Sequence, residues 1–90
     1  MKKDSYIPSI GDFLFLSDGD YIRPYQVFDV NIEEERIAIQ SCLQIDSELK
    51  VNSEGDVVVL KYNKKLNKWI WKKDKFTDDY FVAYFLVKEQ

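Results

Sequence analysis

The side chains that most often do chemistry near neutral pH are scarce in this chain. Histidine is absent, which removes the commonest general base and the commonest metal ligand. The single cysteine, Cys42, has no histidine partner, so a cysteine–histidine nucleophile is excluded. A small buried hydrophobe is the simpler role for it. A structural zinc site takes about four Cys or His ligands, and the chain offers one. Three isolated glycines, Gly11, Gly19 and Gly55, make no phosphate-cradling loop. Carboxylates remain. Asp18 and Asp20 flank Gly19, but a calcium loop of the EF-hand kind needs further ligands and a distal glutamate in register. Asp78–Asp79 and Glu33–Glu34–Glu35 read as solvated loop charges. The expectation is a non-enzyme: no catalytic residue, no metal and no cofactor.

Composition narrows the class. Ninety residues make one domain, 1–90, with a modest core. A content of 46% hydrophobic and 32% charged residues argues against disorder. Aromatics reach 16%, and large rings let a small domain bury much area per residue. One cysteine cannot close an internal disulfide, which points to a reducing compartment. The opening MKKDSYIPSIGD has two lysines with no apolar run behind them, so no signal peptide is expected. Nor does any apolar run approach the ~20 residues of a membrane-spanning helix. A cytoplasmic setting without membrane contact follows as the expectation.

The net charge of −3 is unevenly spread. Residues 1–60 balance to −7, residues 61–75 to +6, and residues 76–90 to −2. The chain is dipolar in sequence.

The positive block belongs to the stretch that organises the rest, VVVLKYNKKLNKWIWKKDK, from Val57 to Lys75. It holds both tryptophans and seven of the thirteen basic residues. Residues 57–62 and 68–72 are rich in β-formers, and the polar residues 63–67 between them suit a turn. With residues 64–67 as the loop, Asn63 faces Lys68, Tyr62 faces Trp69 and Leu60 faces Trp71. One face is then Val58, Leu60, Tyr62, Trp69 and Trp71; the other is Val57, Val59, Lys61, Ile70 and Lys72. A slip of one residue would destroy that segregation, so the register is specified.

The remaining elements follow in order. Residues 1–10 read as a loose lead-in around Pro8. Phe13 to Leu16 is a strand, closed by an Asp-Gly turn at residues 17–20, with a second strand from Tyr21 to Val30. Pro24 cannot donate to a ladder and marks an edge, a bulge or a bend. Arg36 to Leu43 alternates as a half-buried strand. A short helix around 32–45 competes: Asn31 and Glu34 fit a capping box, and Ala38, Cys42, Ile45 and Leu49 fall at helical spacing. The β-branched Ile37, Ile39 and Ile45 favour the strand. A short strand at 45–51, a turn at 52–56, a charged loop at 74–79 and a final apolar strand, YFVAYFLV at 80–87, complete the chain. That last strand needs cover on both faces and is expected to pair with the first, closing the sheet. The fold class is therefore all-β: a small antiparallel barrel or strongly curved sheet of five to six strands.

Residues 11–41, GDFLFLSDGDYIRPYQVFDVNIEEERIAIQS, resemble the opening of SH3-like barrels of the Tudor type. The resemblance lies in the Gly-Asp start, strand, acidic turn, aromatic-bearing second strand and third strand. It covers about a third of the chain, and the lysine-rich hairpin and long last strand depart from the pattern. It implies an SH3-like barrel and carries no ligand over. Tyr21, Tyr25 and Phe28, the rings that a cage for a methylated side chain would use, read as ordinary core and rim aromatics.

With catalysis set aside, binding carries the functional expectation. A surplus of apolar and aromatic residues, with Ile70 and Val59 on the outer face of a lysine-bearing hairpin, fits a protein-interaction module, monomeric or homodimeric. Small acidic inhibitors and immunity-type proteins that titrate one target are the specific class expected. The partner-binding set is Lys61, Lys64, Lys65, Lys68, Ile70 and Lys72. The alternative is nucleic-acid binding through the lysine-rich hairpin 61–75, with Tyr62, Trp69 or Trp71 as stacking platforms. Both tryptophans face inward in the register above, and the two arginines, Arg23 and Arg36, lie outside the basic block, which weighs against it.

Overall fold

Period-two alternation of apolar and polar residues is realised in seven strands. In the computed structural model, which describes residues 7–73 and 79–86, these are β1 (Phe13–Ser17), β2 (Ile22–Asn31), β3 (Arg36–Ile45), β4 (Glu48–Val51), β5 (Val57–Asn63), β6 (Lys68–Lys72) and β7 (Tyr80–Phe85). The ladders run β2-β1-β7-β6-β5-β3, and β3 pairs back onto β2. Six antiparallel strands thus close a barrel, and β4 is added outside it on the last four residues of β3. Closure leaves the barrel strands with no free edge along their shared ladders.

The last strand closes the sheet as expected. Leu16 of β1 faces Ala83 of β7, and Phe15 faces Tyr84. The two faces of β7 are unequally covered, however: Ala83 is buried and Tyr84 is exposed. The predicted register of the basic hairpin holds, with Asn63 facing Lys68 and Tyr62 facing Trp69. The ladder between β5 and β6 ends at Lys61 and Ile70, so Leu60 and Trp71 lie beyond its last pair. Trp71 is instead partnered across β6 and β7 by Phe81.

The helix alternative for 32–45 is not adopted. Its capping signal is spent on the turn between β2 and β3, where Glu34 N donates to Asn31 Oδ1 at 3.1 Å and Glu35 N to the Ile32 carbonyl at 3.1 Å. Glu35 then takes a φ of 54°, which ends any helical continuation. Pro24 also explains a change of partner. The ladder between β2 and β3 stops at Tyr25 and Ser41, beside a proline that has no N–H to offer, and from Cys42 onward β3 pairs with β4 instead. The register shift in β2 lies further on, between Val27 and Asp29, and leaves Phe28 exposed.

Inward-facing residues make one core cluster: Leu14, Leu16, Tyr25, Val27, Ile37, Ile39, Leu60, Trp69 and Ala83. Tyr62 meets Trp69 edge-on, with ring centroids 5.4 Å apart, an arrangement worth about 0.5–1.5 kcal/mol beyond burial. Of the expected N-terminal lead-in, residues 1–6 lie outside the described residues. Residues 7–10 form no strand, and Pro8 among them is buried. Residues 74–78 of the expected charged loop are likewise outside the described set.

Candidate functional site

Strand alternation sorts the expected partner-binding residues. Lys61, Lys68, Ile70 and Lys72 project from the outer face of β5 and β6, together with Val57 and Val59. Lys64 and Lys65 lie in the turn at the end of the hairpin and are exposed. Lys64 Nζ sits 3.6 Å from Glu35 Oε1, a pair of small energetic weight because the Lys64 side chain is exposed. The six residues therefore form two groups, four on a face and two at a tip.

Ile70 lies in the outward series, yet it is only 8% accessible. Lys61 and Val82 are its ladder neighbours on either side, and lysine stems readily cover apolar surface while their ammonium groups stay in water. The accessible apolar area sits beside it. Val59 is 50% exposed, Val57 54% and Tyr84 52%. Lys68 Nζ lies 5.7 Å from the Tyr84 ring centroid, within cation–π range. An open depression of about 450 Å3 runs between Val59, Lys61, Ile70 and Lys72. The stripe continues around the barrel, since Tyr84 faces Phe15 and Phe15 faces Pro24.

The tryptophans occupy the other side. Trp69 is 3% exposed in the core, and Trp71 is half-buried and stacked on Phe81 at 5.4 Å. By strand alternation both lie opposite to Lys68, Ile70 and Lys72, although Trp71 also borders the depression between β5 and β6.

A second cleft, of about 370 Å3, opens at the end of the barrel where β2 and β5 begin and β6 stops. Tyr25, Trp71 and Phe81 wall it, and Tyr21, Arg23 and Asp56 rim it. Burial pushes the Tyr25 hydroxyl pKa up, opposed by the Arg23 charge and reinforced by Asp56. Sequence reasoning missed this cleft. Its signal was present in the alternation: Arg23 continues the inward series Tyr25 and Val27, and Asp56 continues Val58 and Leu60. Of the three rings considered as a cage, Tyr25 is core, Tyr21 stands at this rim and Phe28 lies in the bulge of β2.

Among the described residues, no group of three or more His, Cys, Asp and Glu side chains gathers as a metal would require. None of their helices is long and apolar enough to cross a membrane. No protein-family model, curated protein or solved structure matches the chain.

Proposed function

We propose that this barrel is a non-enzymatic cytoplasmic protein-interaction module, of the inhibitor or immunity type, that docks one acidic protein partner on the outer face of β5, β6 and β7. One observation carries the reading. Val57, Val59 and Tyr84 are each about half exposed on a face framed by Lys61, Lys68 and Lys72. An apolar centre with a basic rim suits a partner surface whose own apolar patch is ringed by carboxylates. Among the described residues, Asp18, Asp20, Glu33, Glu34, Glu54 and Asp56 lie in turns outside β5, β6 and β7. They leave this face to attract negative charge. Stacking on nucleic acid would need a series of exposed rings along the lysines; Tyr84 stands beside Lys68 on this face, while Trp69 is buried in the core and Trp71 is half-buried.

Capture from the source cell's lysate, with and without nuclease, tests the reading. The expected result is one stoichiometric protein that survives nuclease and is lost from Val59→Asp and from a Lys61→Glu, Lys68→Glu, Lys72→Glu triple variant, each folded by circular dichroism. Loss of all captured material on nuclease treatment would replace the reading with nucleic-acid binding. Capture unaffected by either variant would remove this face from consideration.

A further inference from the structure

We infer that the cleft at the open end of the barrel is a binding site for a small aromatic zwitterion, a molecule with one planar ring system, one carboxylate and one ammonium group. The volume, about 370 Å3, lies in the range of small-molecule sites, and barrel mouths are among the places where such sites occur. Trp71 and Phe81 stack on each other at an interplanar angle of 30° and present a rigid apolar wall. Tyr25 lines the interior, and Tyr21, 65% exposed, stands at the entrance. A flat ring is what this lining accommodates.

The rim sets the charge of the ligand. Arg23 reaches the opening from β2 and Asp56 from the turn just before β5, as continuations of inward-facing series, and no ion pair within 4 Å joins them or ties either to another described residue. The neighbouring Lys73 is already committed, donating to Asp18 Oδ2 at 2.5 Å while its Nζ sits 4.7 Å from the Phe81 ring centroid. A simple cation entering the cleft meets Asp56 but is opposed by Arg23. A simple anion meets Arg23 but is opposed by Asp56. A ligand with both charges satisfies both, its carboxylate on the Arg23 fork and its ammonium on Asp56. The cleft adjoins the lysine face at Val57, which lines it, but the assignment does not depend on the reading proposed for that face.

Titration of the isotopically labelled full chain, followed by amide NMR, decides the matter with four probes: L-tryptophan, tryptamine, indole-3-propionate and indole. The expected result is saturable shifts around Tyr21, Tyr25 and Phe81 with L-tryptophan. Each single-charge probe and indole should bind at least about tenfold more weakly, a difference of about 1.4 kcal/mol. Arg23→Gln should erase the preference for L-tryptophan over tryptamine. Asp56→Asn should erase its preference over indole-3-propionate. Both residues are exposed, so both variants should keep the wild-type melting temperature. No shifts with any probe, equal binding of indole and L-tryptophan, or preferences that survive both substitutions would each overturn the assignment.

Discussion

Lys73 Nζ donates to Asp18 Oδ2 at 2.5 Å, tying the end of β6 to the turn between β1 and β2 across 55 residues of chain. Asp18 is only 8% exposed at its side chain, and its Oδ1 also accepts from Asp20 N at 2.9 Å and Tyr21 N at 2.8 Å. One carboxylate thus builds the turn and fastens it to the far side of the barrel end.

That arrangement makes stability depend on pH. The Lys73 hydrogen bond first, then the backbone N–H groups of Tyr21 and Asp20, holds the Asp18 carboxyl well below the usual range. A depressed folded-state pKa gives stability that is fully present above the unfolded value, about 4, and is lost as pH falls toward the folded value. Lys73 is raised by the same bond, so its share is present below the ordinary lysine pKa and is lost as pH rises through the folded value. Asp18→Asn should therefore lower the urea midpoint at pH 7, and the gap to wild type should narrow between pH 4 and pH 2. A gap that stays constant down to pH 2 would show that the ion pair contributes nothing.

The two tryptophans should differ. Trp69→Ala empties a site that is 3% exposed at the centre of the core cluster and is expected to cost about 3–5 kcal/mol. Trp71→Ala removes a half-buried wall of the cleft at the barrel end and should cost clearly less. Val57→Ala, on the exposed outer face, should stay within about 0.5 kcal/mol. Equilibrium urea unfolding measures all three. Equal losses at Trp69 and Trp71 would contradict the burial difference.

How much of this was legible in the sequence follows from which forces are local. The register of the β5–β6 hairpin was readable because period-two alternation and a four-residue turn fix it within a dozen residues. The turn between β2 and β3 carried two compatible local signals, and the strand won because Ile37 and Ile39 each bury fully against β5 partners, Leu60 and Val58, that lie far along the chain. The burial of Ile70 was not readable, because it depends on which neighbours close over it once β7 is in place. The cleft was unreadable for the same reason: Arg23, Asp56, Trp71 and Phe81 meet only when the barrel closes.

Gly55 is closely approached by Ser41 and Asn52, so an added side chain must displace them. A Cβ there would stand 1.7 Å from Ser41 Oγ and 3.1 Å from the Asn52 carbonyl oxygen. The turn is tight because Gln40 Nε2 donates to the Asn52 and Gly55 carbonyls at 3.0 Å each, and Gly55 N donates to the Asn52 carbonyl at 2.9 Å. Gly55→Ala should cost about 1–3 kcal/mol through overpacking. Ser41→Ala removes the nearest atom, so the double variant should recover part of that loss, with a coupling of at least about 0.5 kcal/mol in a double-mutant cycle. Strictly additive losses would place the clash elsewhere, at the Asn52 backbone.

Cys42 provides a probe of opening at the point where β3 exchanges β2 for β4. Its side chain is 7% exposed, its thiol lies 3.8 Å from the Gln40 carbonyl, and burial pushes its pKa above the ordinary value. For a thiol kept neutral by burial, the associated stability is present below the unfolded pKa, about 8.5, and is lost as pH rises through the folded value. Thiolate is the reactive form, so native protein at pH 8 should be alkylated by iodoacetamide far more slowly than the urea-unfolded chain. The native rate should rise with urea below the unfolding midpoint if the β3–β4 hairpin opens locally, and only within the transition if the barrel opens as one unit. Alkylation of the native protein at the unfolded rate would show that Cys42 is open to solvent, and would overturn the packing assigned to this junction.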